Sequence, residues 1–210
     1  MNDELFMFPN EITKPIDTIS ALFESNRDKK LKRAQSLVGT STGRPPDDWY
    51  PTPPEATEAL LAVENFTGRI WEPACGCGSM SKVLEAHKYD VLSTDLVDRG
   101  FGETPHDFLT SNYTSANIMT NPPFKLAEGF VRLSLQRTTG KVVMLCKLQF
   151  LEGSKRRAMF ESTPFKAVWV FSKRLTMTRN GEKMDASGMI CFAFFVWEHG
   201  YIGKPTVGWL

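Results

Sequence analysis

Apolar residues change their spacing several times along this chain, and each change marks an element. From Ala56 through Ala59, Leu60 and Val63 they recur every three or four positions, the period of a helix with one buried face. Thr52 and Glu55 stand three apart just ahead of them, with proline at the first helical position. That arrangement predicts a capping box and a helix over about 55–66. The short run "RIWEP" then reads as a strand ending in the glycine-rich loop "ACGCG", "SMSKVLEAHK" as a helix, and "YDVLSTD" as a strand ending in an acid. Together they make one βαβ unit. Further along, "HDFL" is a weak strand end and "ANIMT" a strand that runs into "NPPF". "LAEGFVRLSLQRT" reads as a helix, "KVVMLCKLQF" as a strand, "KRRAMFEST" as a short helix and "KAVWVFSKR" as a strand. The polar loop "LTMTRNGEKMDASG" leads to a final apolar strand, "MICFAFFVW".

Strands that alternate with helices predict an α/β fold, a mostly parallel sheet covered on both faces. The final two strands have only a loop between them, so they are expected to pair antiparallel, because a parallel return needs a crossover of a dozen or more residues. Residues 1–47 mix charges, prolines and the polar run "GTSTGRPPDD", and carry the basic cluster Arg27 to Arg33. They are expected to form an extension ahead of a single domain over 48–210, the cluster being either a solvated face or a DNA contact.

Composition adds mainly exclusions. A chain of 210 residues with 41% apolar and 23% charged residues suits one ordinary globular core. Lys plus Arg number 25 against 24 acids, so any nucleic-acid contact must come from a local basic face rather than from net charge. No apolar run is long enough for a membrane span, and the acidic start "MNDELFMFPNE" is unlike a secretory signal, so a cytoplasmic protein is expected. Four cysteines at this spacing do not make a disulfide framework, and the C-x-C pair of "ACGCG" lacks the partners of a zinc site. The cysteines are therefore expected to be reduced, and no metal is expected.

In an open parallel sheet, ligands gather outside the carboxyl ends of the strands. That rule brings together Glu72 and the loop after it, Asp95, Asp107 with Phe108, "NPPF", Gln149, and Lys173 with Arg174. Gly76 and Gly78 let backbone approach a ligand at the start of the next helix. A dinucleotide fingerprint is incomplete, since "GCGSMS" has serine at the third glycine position. An acid such as Asp95 at the end of the second strand suits ribose hydroxyls in many nucleoside cofactors, or else a cap or turn. Two prolines in "NPPF" make a stiff corner that no strand or helix can continue through.

Taken in order, "PTP", "EPACGCG", "TD", "DF" and "NPPF" resemble the amino-methyltransferases that use S-adenosylmethionine, most closely the small phage-type N6-adenine DNA methyltransferases. The resemblance covers roughly residues 48–198. It implies a class I methyltransferase (Rossmann-like) fold with a seven-stranded, mostly parallel sheet and an antiparallel last strand. It implies S-adenosylmethionine as cofactor and DNA as partner. By the same likeness Thr52, Pro53 and the loop residues Glu72, Pro73, Ala74, Cys75, Gly76 and Gly78 hold the methionine end. Asp95 takes the ribose hydroxyls, Asp107 the adenine amine and Phe108 its ring. Cys75 departs from the pattern, since relatives often carry an aromatic residue there.

The corner suits this chemistry. An adenine amine is a poor nucleophile because its lone pair is delocalised into the ring. If the Asn121 side-chain oxygen and the Pro122 carbonyl each accept one N–H, that lone pair is freed to point at a methyl group. Pro123 stiffens the corner, and Phe124 stacks on a base flipped out of its duplex. Lys155, Arg156, Arg157, Lys173, Arg174, Arg179 and Lys183 are the candidate DNA contacts, with surface solvation as the plainer reading of each. Rival readings keep the fold and change the acceptor, to adenine in RNA or glutamine in protein, or drop catalysis for a DNA- or partner-binding module.

Overall fold

The first helical pattern becomes α1 (Pro54–Leu61), shorter than its apolar spacing predicts. Proline does occupy the first turn, but no side chain caps the helix. The Thr52 hydroxyl instead accepts a bond from Asn121 Nδ2 at 3.2 Å, so the expected capping box does not form. The helix stops because the chain turns back on Leu60, whose carbonyl takes the amides of both Val63 and Glu64, and this buries Glu64 and Phe66. In this computed structural model the described residues are 49–175 and 190–210, with the backbone of 178–179 and 182–183 between them. The extension 1–47 with its basic cluster, and the side chains of Arg179 and Lys183, lie outside the described residues.

After α1 come β1 (Ile70–Glu72), α2 (Ser79–Ala86), β2 (Val91–Ser93), β3 (Asn117–Thr120), α3 (Ala127–Arg137) and β4 (Lys141–Lys147). A 3-10 turn over Leu148–Leu151 ends β4 earlier than its apolar run suggests, and α4 (Ser154–Ser162) and β5 (Phe165–Val170) follow. Two short strands, β6 (Thr178–Arg179) and β7 (Glu182–Lys183), pair antiparallel in the polar loop. β8 (Phe192–Glu198) and β9 (Thr206–Trp209) complete the order.

Seven strands form one sheet in the order β2-β1-β3-β4-β8-β5-β9. The expected antiparallel strand is β8, which lies between β4 and β5 and runs against both, in register from Lys141↔Glu198 to Lys147↔Phe192. The expected count of seven holds with one exchange of members. "HDFL" is a turn, because the Asp107 carboxylate accepts the Leu109 amide at 2.9 Å and curls the chain. Its place is taken by β9, whose two outward apolar residues are too few to announce a strand, and which pairs parallel with β5 from Ala167↔Thr206 to Val170↔Trp209.

Alternate residues of β8 supply opposite cores: Ala193, Phe195 and Trp197 join α3 and α4, whereas Phe192, Phe194 and Val196 join α1 and α2. The central strands are thus buried on both faces, which is why they read as unbroken apolar runs. At the amino ends of β4 and β5 a buried carboxylate replaces apolar packing. Glu64, 3% exposed, accepts bonds from Lys141 and from Trp169 Nε1 at 3.0 Å, and Lys166 lies 3.6 Å away. Chain order reverses between β1 and β3, and the carboxyl ends there open the crevice in which the candidate site lies.

Candidate active site

The site is assembled from three strand ends and the segment before α1. After β1 the backbone passes through Gly76 at φ +56°, a left-handed conformation that favours glycine, and a Cβ there would stand 2.6 Å from the Trp49 indole nitrogen. The Gly76 amide donates to Asp95 Oδ2 at 2.7 Å, tying the glycine loop to the end of β2. Asp95 Oδ1 accepts the Val97 amide at 2.8 Å and Arg99 Nη1 at 3.0 Å. Three donors on a carboxylate with about four lone-pair positions leave room for one more. The Arg99 guanidinium lies 5.0 Å from the centre of the Trp49 ring, so these two side chains stand over the loop.

Glu72 ends β1 and is 2% exposed. Its Oε2 accepts both the amide of Ser81, at 2.8 Å, and the Ser81 hydroxyl, which in turn lies 2.6 Å from the Ser93 hydroxyl. Burial pushes its pKa up to about 8; the Ser81 bonds oppose this and the nearby charges of Asp95 and Glu85 add to it. The unfolded chain ionises Glu72 near its ordinary value while the fold keeps it protonated, so stability falls as pH rises from about 4.5 to 8. Glu72→Gln is expected to remove this part of the slope: between pH 5 and pH 8 the parent should lose more thermal stability than the variant. Parallel melting curves for the two would contradict that assignment. Burial, with Glu72 and Asp95 nearby, also pushes the Cys75 thiol up to about 12, so Cys75 is no thiolate nucleophile at neutral pH.

The proline corner follows β3. Asn121 Nδ2 donates to the Tyr50 carbonyl at 3.0 Å and to the Thr52 hydroxyl. With its donor end committed, the amide turns its acceptor oxygen away from that segment. The Pro123 carbonyl accepts the Leu126 amide at 2.8 Å, which starts α3 directly after the corner. Phe124 stacks on Tyr50 at 6.2 Å, meets Phe192 at 5.9 Å and lies under the Lys147 ammonium at 4.6 Å.

These elements enclose a cavity of about 350 Å³. Of the residues expected from the sequence, Thr52, Glu72, Pro73, Ala74, Cys75, Gly76, Asp95, Phe108, Asn121 and Pro123 line it. Pro53, Gly78, Asp107, Pro122 and Phe124 do not, although Pro53 adjoins a residue that does and each of the other four lies between two that do. The Asp107 carboxylate is directed into its own turn, and His106 lines the cavity in its place, its amide donated to the Asp95 carbonyl at 2.8 Å. Trp49, Arg99, His106 and Lys125 also line the cavity and had escaped sequence reasoning. Lys125 directly follows "NPPF" and could have been found by proximity. Trp49 and Arg99 come from segments with no periodic pattern.

Among the described residues, the candidate DNA-contacting cations stand outside the cavity. In the first turn of α4, Arg156 bonds the carbonyls of Glu152 and Gln149, and Arg157 pairs with Glu161 at 2.6 Å. Lys155, Lys173 and Arg174 are exposed. All four cysteines are unpaired. Among the described residues no group of His, Cys, Asp and Glu is placed to hold a metal ion, and no helix is long and apolar enough to cross a membrane.

A seven-stranded sheet of this order, with a glycine loop and an acid at its first two strand ends, has the architecture of the class I methyltransferases. No protein-family model and no curated protein matches the sequence. Solved structures share the fold. A proposed RNA methyltransferase from Pyrococcus horikoshii is similar at 14% identity and a TM-score of 0.57, over 81% of this chain and 98% of that one. A proposed class I S-adenosylmethionine-dependent methyltransferase from Listeria monocytogenes is similar at 11% identity and a TM-score of 0.55, over 89% of this chain and 72% of that one. The modification subunit of a proposed type I restriction enzyme from Vibrio vulnificus is similar at 12% identity and a TM-score of 0.51. That match covers 94% of this chain and 52% of the subunit, so this chain spans about half of its length.

Proposed function

We propose that this chain transfers a methyl group from S-adenosylmethionine to the N6 amine of adenine in DNA. The observation that carries the proposal is the orientation of Asn121: both bonds from its amide nitrogen go to the Tyr50–Thr52 segment, at the wall of a cavity with nucleoside-binding features.

The residues present fit the cofactor. A cavity of about 350 Å³ lies within the range of small-ligand sites, roughly 300–1,000 Å³. Glu72, Thr52 and the loop through Cys77 would hold the methionine end. Asp95, with its remaining lone-pair position, would take a ribose hydroxyl, and His106 and Phe108 would flank the adenine. Asp107 adjoins this region and would reach the adenine amine only if its turn reopened. When bound, the cofactor would supply an electrophilic methyl carbon for the amine nitrogen to attack, the sulfur keeping the electron pair of the bond that breaks.

The chain's own contribution is orientation. The Asn121 oxygen accepts one N–H of the target amine and the Pro122 carbonyl the other, which draws the lone pair out of conjugation. Asn121 is no general base, and none is required, because the ammonium formed is acidic enough to lose its proton to water. Phe124, seated among Tyr50, Phe192 and Lys147, would meet the flipped base by its free edge or after Tyr50 gives way. Lys155, Arg156, Arg157, Lys173, Arg174, Arg179 and Lys183 are the proposed phosphate contacts.

The amine itself provides a test. Duplex DNA in which every adenine is replaced by purine lacking the 6-amino group should take up no methyl label, and equal labelling of both duplexes would overturn the proposal. For the cofactor, Asp95→Ala is expected to weaken S-adenosylmethionine binding by about 1.5–3 kcal/mol, the worth of hydrogen bonds to a charged acceptor. Calorimetry on the folded variant checks this, and unchanged affinity would leave Asp95 only its role of holding Gly76, Val97 and Arg99.

A further inference from the structure

The edge strand β9 ends in an aromatic side chain that the fold does not use. Trp209 is 69% exposed and Val207, two residues earlier, 56% exposed. Pairing with Val168 and Val170 puts both on the sheet face covered by α4. β9 runs parallel to β5, so Trp209 stands at the carboxyl rim, the same edge that carries the candidate active site. Its neighbour Leu210 is tied into the rim: its carbonyl accepts the Ser172 amide at 2.9 Å and the Ser172 hydroxyl at 2.6 Å. Lys173 and Arg174, both exposed, follow directly. The first turn of α4, with exposed Lys155, lies on the same face and at the same end.

We propose that Trp209, with Lys173, Arg174 and Lys155, forms a subsite for an unpaired stretch of the DNA strand flanking the target base. An exposed indole offers a flat face on which any base can stack, and the adjoining cations neutralise the phosphates on either side. The charge decides against a second copy of this chain as occupant. In a two-fold pair the same cations would oppose each other across the edge. Four strand spacings separate β3 from β9, roughly 19 Å at about 4.8 Å each, so the flanking strand needs at most about five to six nucleotides, the number at duplex rise, and fewer when it is extended and unpaired. The subsite therefore reads single-strandedness, not base identity. It rests on the proposal that the substrate is DNA, but its test is one of binding and needs no methyl transfer.

Fluorescence anisotropy with an end-labelled 20-nucleotide single strand and a blunt duplex of the same sequence provides that test. Trp209→Ala is expected to weaken the 20-nucleotide strand by at least about fivefold, the lower bound for loss of one stacked base, and to leave the blunt duplex and S-adenosylmethionine unaffected. Trp209→Phe, which keeps an aromatic face, should stay within about threefold of the parent. The double variant Lys173→Ala, Arg174→Ala should lower the salt slope for the single strand by about 1.4, two phosphates at roughly 0.7 each. Trp209→Ala binding the 20-nucleotide strand within twofold of the parent would overturn the proposal. A Trp209→Ala variant that loses self-association in sedimentation and keeps its DNA affinity would give the surface to a second copy instead. Absence of methylation alongside these binding changes would count against the proposed reaction and leave the subsite standing.

Discussion

Asn121→Ala is expected to lose methyl transfer by about 100-fold or more, the usual cost of removing one preoriented polar contact to the reacting centre. S-adenosylmethionine binding should change little, because Glu72, Gly76 and Asp95 are held by bonds that do not involve Asn121. Asn121→Asp sharpens the test. It retains oxygen acceptors but lacks the two N–H donors that bond Tyr50 and Thr52 and so turn the Asn121 oxygen away from them. If orientation matters, Asp should be impaired nearly as severely as Ala. Single-turnover rates with saturating cofactor separate the chemical step from binding. A transfer rate for Asn121→Ala within threefold of the parent would remove the corner from the chemistry.

The largest effect on stability is expected at the opposite end of the sheet. Glu64→Gln should destabilise the fold by about 3 kcal/mol or more, because it leaves Lys141 and Lys166 without the buried carboxylate they face, and breaking a buried ion pair from one side costs roughly 3–5 kcal/mol. Glu198 partly compensates, since it pairs with Lys166 at 2.6 Å, but its distance to Lys141 is 3.9 Å. Burial raises the Glu64 pKa, yet bonds from Lys141 and Trp169 and the charges of both lysines more than offset it, and the net shift is downward. A carboxylate with a depressed folded pKa stabilises above its unfolded value near 4.5 and loses that contribution as pH falls through the folded one. Urea denaturation at pH 7 and pH 3 should therefore show a large gap between parent and variant at pH 7 that narrows in acid. A constant gap would mean that packing, not charge, carries the effect.

Much of this could be read from the chain because its period changes are clean. The buried strands β4 and β8 are unbroken apolar runs, α2 and α3 show helical spacing, and the stiff corner and the glycine loop carry rigid local chemistry that tertiary context cannot revise. What escaped was set by contacts distant in sequence. Thr52 looks like a helix cap until Asn121, far along the chain, claims its hydroxyl. α1 ends early because Glu64 must reach Lys141 and Trp169. Asp107 and His106 differ by one position, and only the turn closed by the Leu109 amide decides that His106 lines the cavity. β9 is four residues with two apolar side chains, both exposed, so no burial pattern announces it. Trp49 and Arg99 meet over Gly76 from segments without periodicity, and nothing in their local sequence pairs them.

The central claim is that the corner orients an adenine amine in DNA for methyl transfer, and the identity of the methylated product tests it most directly. The purified chain would be incubated with methyl-labelled S-adenosylmethionine and, in separate reactions, duplex DNA, RNA and protein extract, and each product hydrolysed and separated by mass. The account predicts label in N6-methyldeoxyadenosine from the DNA reaction, absent when Asn121 is alanine. Label recovered only as methylated adenosine from RNA or as methylglutamine from protein, or no transfer in any reaction by a folded protein that binds the cofactor, would contradict it.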